Sequence, residues 1–240
     1  MNAISVVIPV LNEAESIGHV VASMPWHLID ECIVVDNGST DDSAQIARQA
    51  GARVITSPRG YGAACKAGSD AALPSSTIIV YMDGDGSDII DDLPQLITPI
   101  KEDKADFVIA SRIRGQREPG SMLPSQVFAG HLVGTLLRAF QGVRYTDMGP
   151  FRAIRRSSLE KLQMSELTYG WNLQMQIRAA QHNLRILEIP VNYRRRIGGT
   201  SKVSGNFTAS IKAAARILTV LFRTGLSRHP GSIAIPERNR

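Results

Sequence analysis

The chain contains 240 residues, of which 27 are Lys or Arg and 22 are Asp or Glu, giving a formal net charge of +5. With 43% hydrophobic and 20% charged residues, the composition predicts a folded domain with a substantial core and excludes an intrinsically disordered chain. Two cysteines, Cys32 and Cys65, are too few for a disulfide framework and indicate a reducing compartment.

The N-terminal residues MNAISVVIPV have no basic residue ahead of their apolar run, and Pro9 interrupts that run. They therefore do not predict a signal peptide. No later stretch holds the roughly 18 consecutive apolar residues that a membrane-spanning helix requires. We expect a cytoplasmic protein without a transmembrane segment.

Short apolar runs alternate with longer mixed segments in the first half of the chain, a pattern typical of β-α units that build a largely parallel sheet. The expected strands cover residues 5–10, 32–36, 53–56, 77–83 and 107–111. Helices are expected over 14–24, from the NGSTDD turn to about residue 50, and from Gly60 onward. Asn12 would cap the first helix, with Glu15 completing a capping box.

The regular alternation stops after residue 111. A Gly/Pro-rich loop (115–124), an apolar helix (about 125–141), the FRAIRR segment (151–156), a helix around 171–182 and the RILEIPVNYRRR segment (185–196) follow. An amphipathic helix is expected over 206–226, with Lys212, Arg216 and Arg223 on one face. Its apolar face would either pack on the body or lie on an anionic membrane. Residues 227–240 predict a flexible tail.

Positive charge is concentrated at the C-terminal end. Residues 185–240 hold eleven Lys or Arg and two Asp or Glu. Residues 1–184 hold sixteen Lys or Arg and twenty Asp or Glu. A basic segment suggests an anionic surface or nucleic acid as partner. Aromatic residues make up only 5% of the chain and do not interleave with the basic run RRRIGGTSK, so we expect no nucleic-acid binding.

The stretch IIVYMDGDGSDIIDD is the most informative about chemistry. An apolar strand delivers Asp83 and Asp85 to its carboxyl end, where open α/β sheets bind ligands. Gly84 and Gly86 would let a ligand approach the backbone closely. Two carboxylates at a strand end suit Mg²⁺ or Mn²⁺ shared with phosphate oxygens.

Three other interpretations of this stretch can be weighed. An EF-hand loop fails because Asp88 and Pro94 stand where Gly and Glu are required. A haloacid-dehalogenase-type phosphatase, with Asp83 as nucleophile, normally has this motif after its first strand, whereas three strands precede it here. A solvated acidic turn that caps the next helix stays open on this stretch alone.

Two further acids follow the first two strands, Glu13 and Asp36. Each alone could be a first-turn helix acid or a cap. Together with Asp83 and Asp85 they predict four carboxylates at one sheet edge, able to accept hydrogen bonds from ribose hydroxyls or a base N–H. In RGYGAACKAG, Gly60 and Gly62 would allow close approach at a helix start, with Arg59 or Lys66 available to an anion. Helix packing alone would also explain these glycines.

The segments VIPVLNEAESI, VVDNGSTDDS, RGYGAACKAG and MDGDGSD, in this order, resemble the GT-A nucleotide-binding half of family 2 glycosyltransferases. The later segments SRIRG, YTDMGPFRAIRR, YGWNLQMQIRAAQ and EIPVNYRRRIGGTSKVSG resemble the polyprenyl-phosphate branch, which includes dolichyl-phosphate mannose and glucose synthases. The resemblance implies an α/β, Rossmann-like GT-A fold with a mostly parallel sheet flanked by helices. One domain would cover residues 1–205, with a nucleotide-binding half to about 112 and an acceptor half over 113–205.

The resemblance also implies residue roles. It assigns donor binding to Pro9, Glu13, Asp36, Lys66, Asp83, Gly84 and Asp85. It assigns metal binding to Asp83 and Asp85. The catalytic residues would be Asp85, Asp147 and Arg152. Acceptor or phosphate binding falls to Arg112, Arg194, Arg196, Ser201 and Lys202. The chain departs from the family at Gln174, which stands at an acidic position of the GW..E.Q pattern, and at Ser87-Asp88, where Gln-His is common.

The function implied is an inverting, metal-dependent transfer of a hexose from UDP- or GDP-hexose to a polyprenyl phosphate at the cytoplasmic membrane face. A phosphate acceptor is already anionic and needs no strong base, whereas a hydroxyl acceptor would need one, with Asp147 as candidate. One alternative is a glycosyltransferase with a soluble phosphorylated acceptor. Another is a catalytically silent membrane-surface or recruiting protein on a transferase scaffold.

Overall fold

The computed structural model describes residues 3–143 and 145–198, together with residues 219, 223 and 224. The described part of the chain therefore leaves out Ser201, Lys202 and the expected tail over 227–240. It also leaves out the helix expected over 206–226, except for those three residues. Among the described residues, no helix is long and apolar enough to cross a membrane.

Seven strands form one sheet with the order β3-β2-β1-β4-β6-β5-β7. The strands are β1 (Ala3–Val10), β2 (Glu31–Asp36), β3 (Arg53–Thr56), β4 (Ser76–Tyr81), β5 (Phe107–Ser111), β6 (Arg152–Arg155) and β7 (Ile186–Pro190). All neighbouring strands pair in parallel except β6, which is antiparallel to both β4 and β5. The predicted mostly parallel sheet is confirmed.

Helices cover both faces of the sheet. They are α1 (Ile17–Ala22), α2 (Ser43–Gln49), α3 (Tyr61–Asp70), α4 (Leu93–Lys101), α5 (Pro124–Gln141), α6 (Arg156–Leu162) and α7 (Trp171–Gln181). In β1, Val6 and Ile8 belong to one buried cluster and Val7 to the other. Burial on both faces explains why the central strands read as continuous apolar runs rather than alternating ones.

The predicted start of the first helix is wrong. Helix α1 begins at Ile17, and no side chain caps it. Asn12 has a φ of +53°, and its side-chain oxygen accepts a hydrogen bond from the Thr40 N–H (2.7 Å). Asn12 therefore joins the loops after β1 and β2 at the carboxyl edge of the sheet, instead of capping a helix with Glu15.

Strand β6 brings a distant part of the chain into the middle of the sheet. Ile154 lies opposite Ile79 of β4 and Phe107 of β5. On the same strand, Arg152 pairs with Tyr81 and Ile109 and is fully buried. The nucleotide-binding half expected from the sequence is therefore completed by a strand from the acceptor half.

Candidate active site

A cleft of about 500 Å³ opens at the carboxyl ends of β1, β2 and β4. One part of its lining, the acidic wall, carries the acids Glu13, Asp83 and Asp85. Another part, the second wall, is made by Pro150 and by Thr168, Tyr169 and Asn172 around the start of α7. The structure thus brings together Pro9, Glu13, Asp83, Gly84, Asp85 and Arg196 from the set predicted by the sequence.

Asp85 is held in a defined orientation by Ser87. Its Oδ1 accepts hydrogen bonds from the Ser87 N–H (2.9 Å) and the Ser87 hydroxyl (2.5 Å). The same hydroxyl lies 2.9 Å from the Tyr193 hydroxyl. Ser87, one of the two departures from the family pattern, therefore orients a candidate metal ligand, a role that the sequence analysis missed.

The acidic wall favours a cation. Burial, followed by the charges of Asp85 and Asp88, raises the pKa of the Asp83 carboxyl well above its usual value. Asp88 accepts a hydrogen bond from the Asp83 N–H (3.1 Å), and burial raises the pKa of Asp88 to about 7. Crowded carboxylates of this kind fit a hard divalent cation at Asp83 and Asp85.

Protein side chains alone do not complete such a site. Within the described ranges, no group of three or more His, Cys, Asp or Glu side chains is arranged to hold a metal ion. A divalent cation at Asp83 and Asp85 would therefore need further oxygen ligands, which the phosphates of a nucleotide or water molecules can supply.

Arg196 reaches into the cleft and contacts the acids. Its Nη2 lies 3.0 and 2.9 Å from the two carboxylate oxygens of Glu13 and 3.8 Å from Asp85 Oδ2. The neighbouring Arg194 does not line the cleft. It contacts the loop that follows Asp85. Its Nε donates to the Gly86 carbonyl (2.6 Å) and its backbone N–H donates to the Ser87 carbonyl (3.2 Å).

Two residues expected to bind the donor lie beside the cleft rather than on its surface. Asp36 Oδ1 accepts a hydrogen bond from the Ser39 N–H (2.9 Å), while the next residue, Asn37, lines the cleft. Lys66 lies on the exposed side of α3 and pairs with Asp70 (2.5 Å). A donor role for Lys66 would require that pair to open.

Arg112 and Asp147 form an ion pair in which the Asp147 side chain is buried and the Arg112 side chain is 15% exposed. Arg112 donates from Nε to Oδ2 and from Nη2 to Oδ1, both at 2.8 Å, and its N–H donates to Oδ2 at 2.9 Å. Burial opposes ionisation of Asp147, but the Arg112 charge and hydrogen bonds outweigh it and hold the pKa of the Asp147 carboxyl below its usual value. Neither residue lines the described cleft.

Arg152 is buried next to the cleft and contacts backbone groups there. Its guanidinium donates to the Gly149 and Asn172 carbonyls and lies 5.8 Å from the centre of the Phe107 ring. Arg152 is fully buried. It therefore positions the backbone carbonyls of Gly149 and Asn172 and does not present its charge to the cleft.

The loop between α6 and α7, residues 163–170, packs against the start of α3. The N–H groups of Gly62 and Ala63 donate to the carbonyls of Thr168 (3.2 Å) and Leu167 (2.9 Å). A Cβ atom on Gly62 would lie 2.2 Å from the Glu166 carbonyl oxygen. Packing therefore explains the glycines of RGYGAACKAG, and these two N–H groups are not available to an anion.

The second wall of the cleft was not predicted from the sequence. Thr168, Tyr169 and Asn172 belong to it, and Asn37 and Tyr61 also line the cleft. The motif YGWNLQMQIRAAQ includes Tyr169 and Asn172, but the resemblance gave them no role in the site, because contacts with α3, about a hundred residues earlier in the chain, hold the segment at the cleft. Polar and aromatic residues immediately before an expected helix start were the signal that could have found them.

Residues 5–163 match the family model described as "Glycosyl transferase family 2". An uncharacterized glycosyltransferase of Mycobacterium tuberculosis is 38% identical over 216 residues, covering 88% of this chain and 94% of that relative. A dolichyl-phosphate hexose transferase of Haloferax volcanii is 34% identical over 204 residues, covering 82% of this chain and 85% of that relative.

A solved structure shares the fold. It is the glucosyl-3-phosphoglycerate synthase of Mycobacterium tuberculosis in complex with Mn²⁺, UDP-glucose and phosphoglyceric acid. The TM-score is 0.70 at 25% identity, covering 91% of this chain and 79% of that chain. The arrangement of sheet and helices described above is therefore the expected GT-A fold.

Proposed function

The chain belongs to glycosyl transferase family 2, and from this premise we propose that it transfers a hexose from UDP- or GDP-hexose to a polyprenyl phosphate. A relative that is 34% identical carries the name dolichyl-phosphate hexose transferase, which supports this acceptor class. Since the chain is a glycosyltransferase of this family and keeps all four edge acids, the silent recruiting protein loses its support.

A difference in charge between two parts of the cleft lining supports the proposal. The acids Glu13, Asp83 and Asp85 form the acidic wall, whereas the second wall consists of Pro150, Thr168, Tyr169 and Asn172. Among the described lining residues, that second wall holds no carboxylate and no imidazole. A hydroxyl acceptor bound against it would need a base there, but a phosphate acceptor attacks as an anion.

Asp147 is not the base in this scheme. Its pKa lies below the usual value because Arg112 binds both carboxylate oxygens, and a weakly basic, fully paired carboxylate accepts protons poorly. We assign Asp147 to fixing Arg112, which contacts the ring of Tyr193 (5.1 Å from its centre) and so supports the segment that carries Arg194 and Arg196.

The proposed reaction is a single displacement. A phosphate oxygen of the acceptor forms a bond to the anomeric carbon while the bond from that carbon to the nucleoside diphosphate breaks, inverting the configuration. Asp83 and Asp85 would hold Mg²⁺ or Mn²⁺, which neutralises charge on the departing diphosphate when bound. Glu13 would bind the nucleoside, Asp36 would assist from beside the cleft, and Arg196 would move from Glu13 to phosphate.

A soluble phosphorylated acceptor is the second candidate. The solved synthase that shares this fold binds Mn²⁺, UDP-glucose and phosphoglyceric acid. In that case the basic segment of the chain would bind the acceptor phosphate rather than a membrane. The donor wall of the cleft would be used in the same way by both acceptors.

Radiolabelled UDP-glucose and GDP-mannose, offered with polyprenyl phosphate and either Mn²⁺ or Mg²⁺, test the proposal. We expect label to enter the organic phase, and to be lost with a chelator or in Asp85→Ala. Glu102→Ala, which removes an exposed carboxylate outside the cleft, is the matched control and should retain activity. Label transferred to 3-phosphoglycerate and not to lipid would establish the soluble acceptor instead.

A further inference from the structure

The loop of residues 163–170 is fixed from two sides. The start of α3 holds its carbonyl groups through Gly62 and Ala63. Within the loop, the Glu166 carboxylate, itself buried, accepts hydrogen bonds from the N–H (3.0 Å) and the hydroxyl of Thr168. The loop is therefore a rigid part of the cleft rather than a free surface turn.

Gln174 supplies the second anchor. From the first turn of α7, its Oε1 accepts hydrogen bonds from the N–H groups of Ser165 (2.9 Å) and Glu166 (2.8 Å), and its Nε2 donates to the Ser165 hydroxyl (3.0 Å). The side chain is only 5% exposed. Gln174 thus faces the loop and not the cleft, and an acid at this position could accept the same two N–H groups.

The wall that this loop builds is chemically distinct from the rest of the cleft. Thr168 and Asn172 are neutral polar residues of the lining, and Tyr169 is 48% exposed. Polar groups of this kind, placed beside an aromatic ring, match a neutral ring that carries several hydroxyl groups. The charged groups elsewhere in the lining, which are the acids, Arg59, Arg196 and any bound cation, suit the charged nucleoside diphosphate.

We propose that Gln174 is a positioning residue, and that the wall it fixes, formed by Thr168, Tyr169 and Asn172, recognises the transferred hexose. This inference rests on the proposed function, because it assigns the sugar of the donor to one wall. It also explains the departure from the family pattern, since the amide keeps the two acceptor contacts that a carboxylate would make.

Binding of nucleotide and nucleotide sugar separates this role from a general structural one. Dissociation constants are measured by calorimetry with Mn²⁺ for UDP, UDP-glucose, GDP and GDP-mannose. In Gln174→Leu, loss of the loop contacts should weaken binding of the nucleotide sugar about tenfold, the effect of losing about 1.4 kcal/mol. Binding of the nucleoside diphosphate should stay within about twofold. Gln174→Glu should restore binding of the sugar nucleotide.

Two exposed residues of the same loop provide a test that does not depend on the stability of Gln174→Leu. Tyr169 lines the cleft, whereas Leu167, 47% exposed, does not. Tyr169→Ala should selectively weaken nucleotide-sugar binding, raising the donor KM more than it lowers kcat. Leu167→Ala should match the wild type.

Other patterns overturn the inference. Equal loss of nucleotide and nucleotide-sugar binding in Tyr169→Ala would place the base, not the sugar, against this wall. Equal effects of Tyr169→Ala and Leu167→Ala would remove the special role of the wall. If the wild type bound none of the four ligands, the proposed function itself would fail, and the inference with it.

Discussion

Arg112 and Asp147 show how burial changes the meaning of a charged residue. The resemblance implied an acceptor contact for one and catalysis for the other, yet each neutralises its partner and neither lines the described cleft. Removing one partner of a buried pair leaves an uncompensated charge in the interior. The pair therefore matters first for the fold.

Arg112→Met should lower the free energy of unfolding by about 3–5 kcal/mol, because it leaves the Asp147 carboxylate buried without its cation. Urea unfolding followed by circular dichroism measures this change. Asp70→Ala breaks the exposed pair with Lys66 and should change the free energy of unfolding by less than about 0.5 kcal/mol. Similar values for the two variants would contradict a buried pair.

Arg196 acts as an internal cation for the acidic wall. Its guanidinium lies between Glu13 and Asp85, where it competes electrostatically with a divalent ion. In Arg196→Gln without nucleotide, Mn²⁺ should bind several-fold more tightly, as followed by the electron paramagnetic resonance signal of free Mn²⁺.

The neighbouring residue controls for the change in net charge. The side chain of Arg195 donates to the Pro119 carbonyl rather than contacting the acids of the cleft. Arg195→Gln removes the same charge and should leave Mn²⁺ affinity nearly unchanged. Equal tightening in both variants would indicate a long-range field, and no change in Arg196→Gln would show that the guanidinium does not compete.

At the scale of elements, two glycines of α5 have opposite surroundings. A Cβ atom on Gly134 would lie 2.1 Å from the Tyr145 carbonyl oxygen, which is backbone and cannot move aside easily. A Cβ atom on Gly130, one turn earlier, would meet only the end of the Ile113 side chain at 3.3 Å and the Thr146 carbonyl oxygen at 3.7 Å. Helix α5 therefore lies closer to the Tyr145 carbonyl at Gly134 than to the Thr146 carbonyl at Gly130.

Gly134→Ala should destabilise the protein by about 1–3 kcal/mol through overpacking. Gly130→Ala should be neutral or stabilising by up to about 1 kcal/mol, because alanine is the better helix former. Thermal unfolding of the two variants compares them directly. A stabilising effect at Gly134 would show that α5 sits farther from Tyr145 than described.

The elements that could be predicted from the sequence are those defined by local pattern. The apolar runs predicted β3 and β5 at their observed bounds and the other early strands within two residues. The cap at Asn12 failed because its partner, Thr40, is 28 residues away in the chain. The wall at residues 168–172 was missed for the same reason, since its position depends on α3.

At the scale of the whole molecule, the positive net charge comes from the C-terminal quarter. Residues 1–184 are acidic on balance, and residues 185–240 are strongly basic. The first part carries the acid wall, which requires a cation to meet a diphosphate. The basic part, mostly beyond the described residues, is available in the proposed function for a second anion.

The full chain should float with vesicles that contain phosphatidylglycerol and not with vesicles of phosphatidylcholine alone, because basic residues attract anionic headgroups. High salt should release it, since the interaction is screened. Density-gradient flotation measures both effects. Absence of binding to either vesicle would count against a polyprenyl acceptor at the membrane face and favour the soluble one.

The position of β6 also affects how the chain folds while it is being synthesised. Strand β5 joins β4 through β6, and the ribosome adds the residues of β6 more than forty residues after those of β5. Until residue 155 has left the ribosome, β4 presents an unpaired apolar edge of the kind that promotes aggregation. A premature stop after residue 112 would therefore yield a chaperone client rather than a small nucleotide-binding protein.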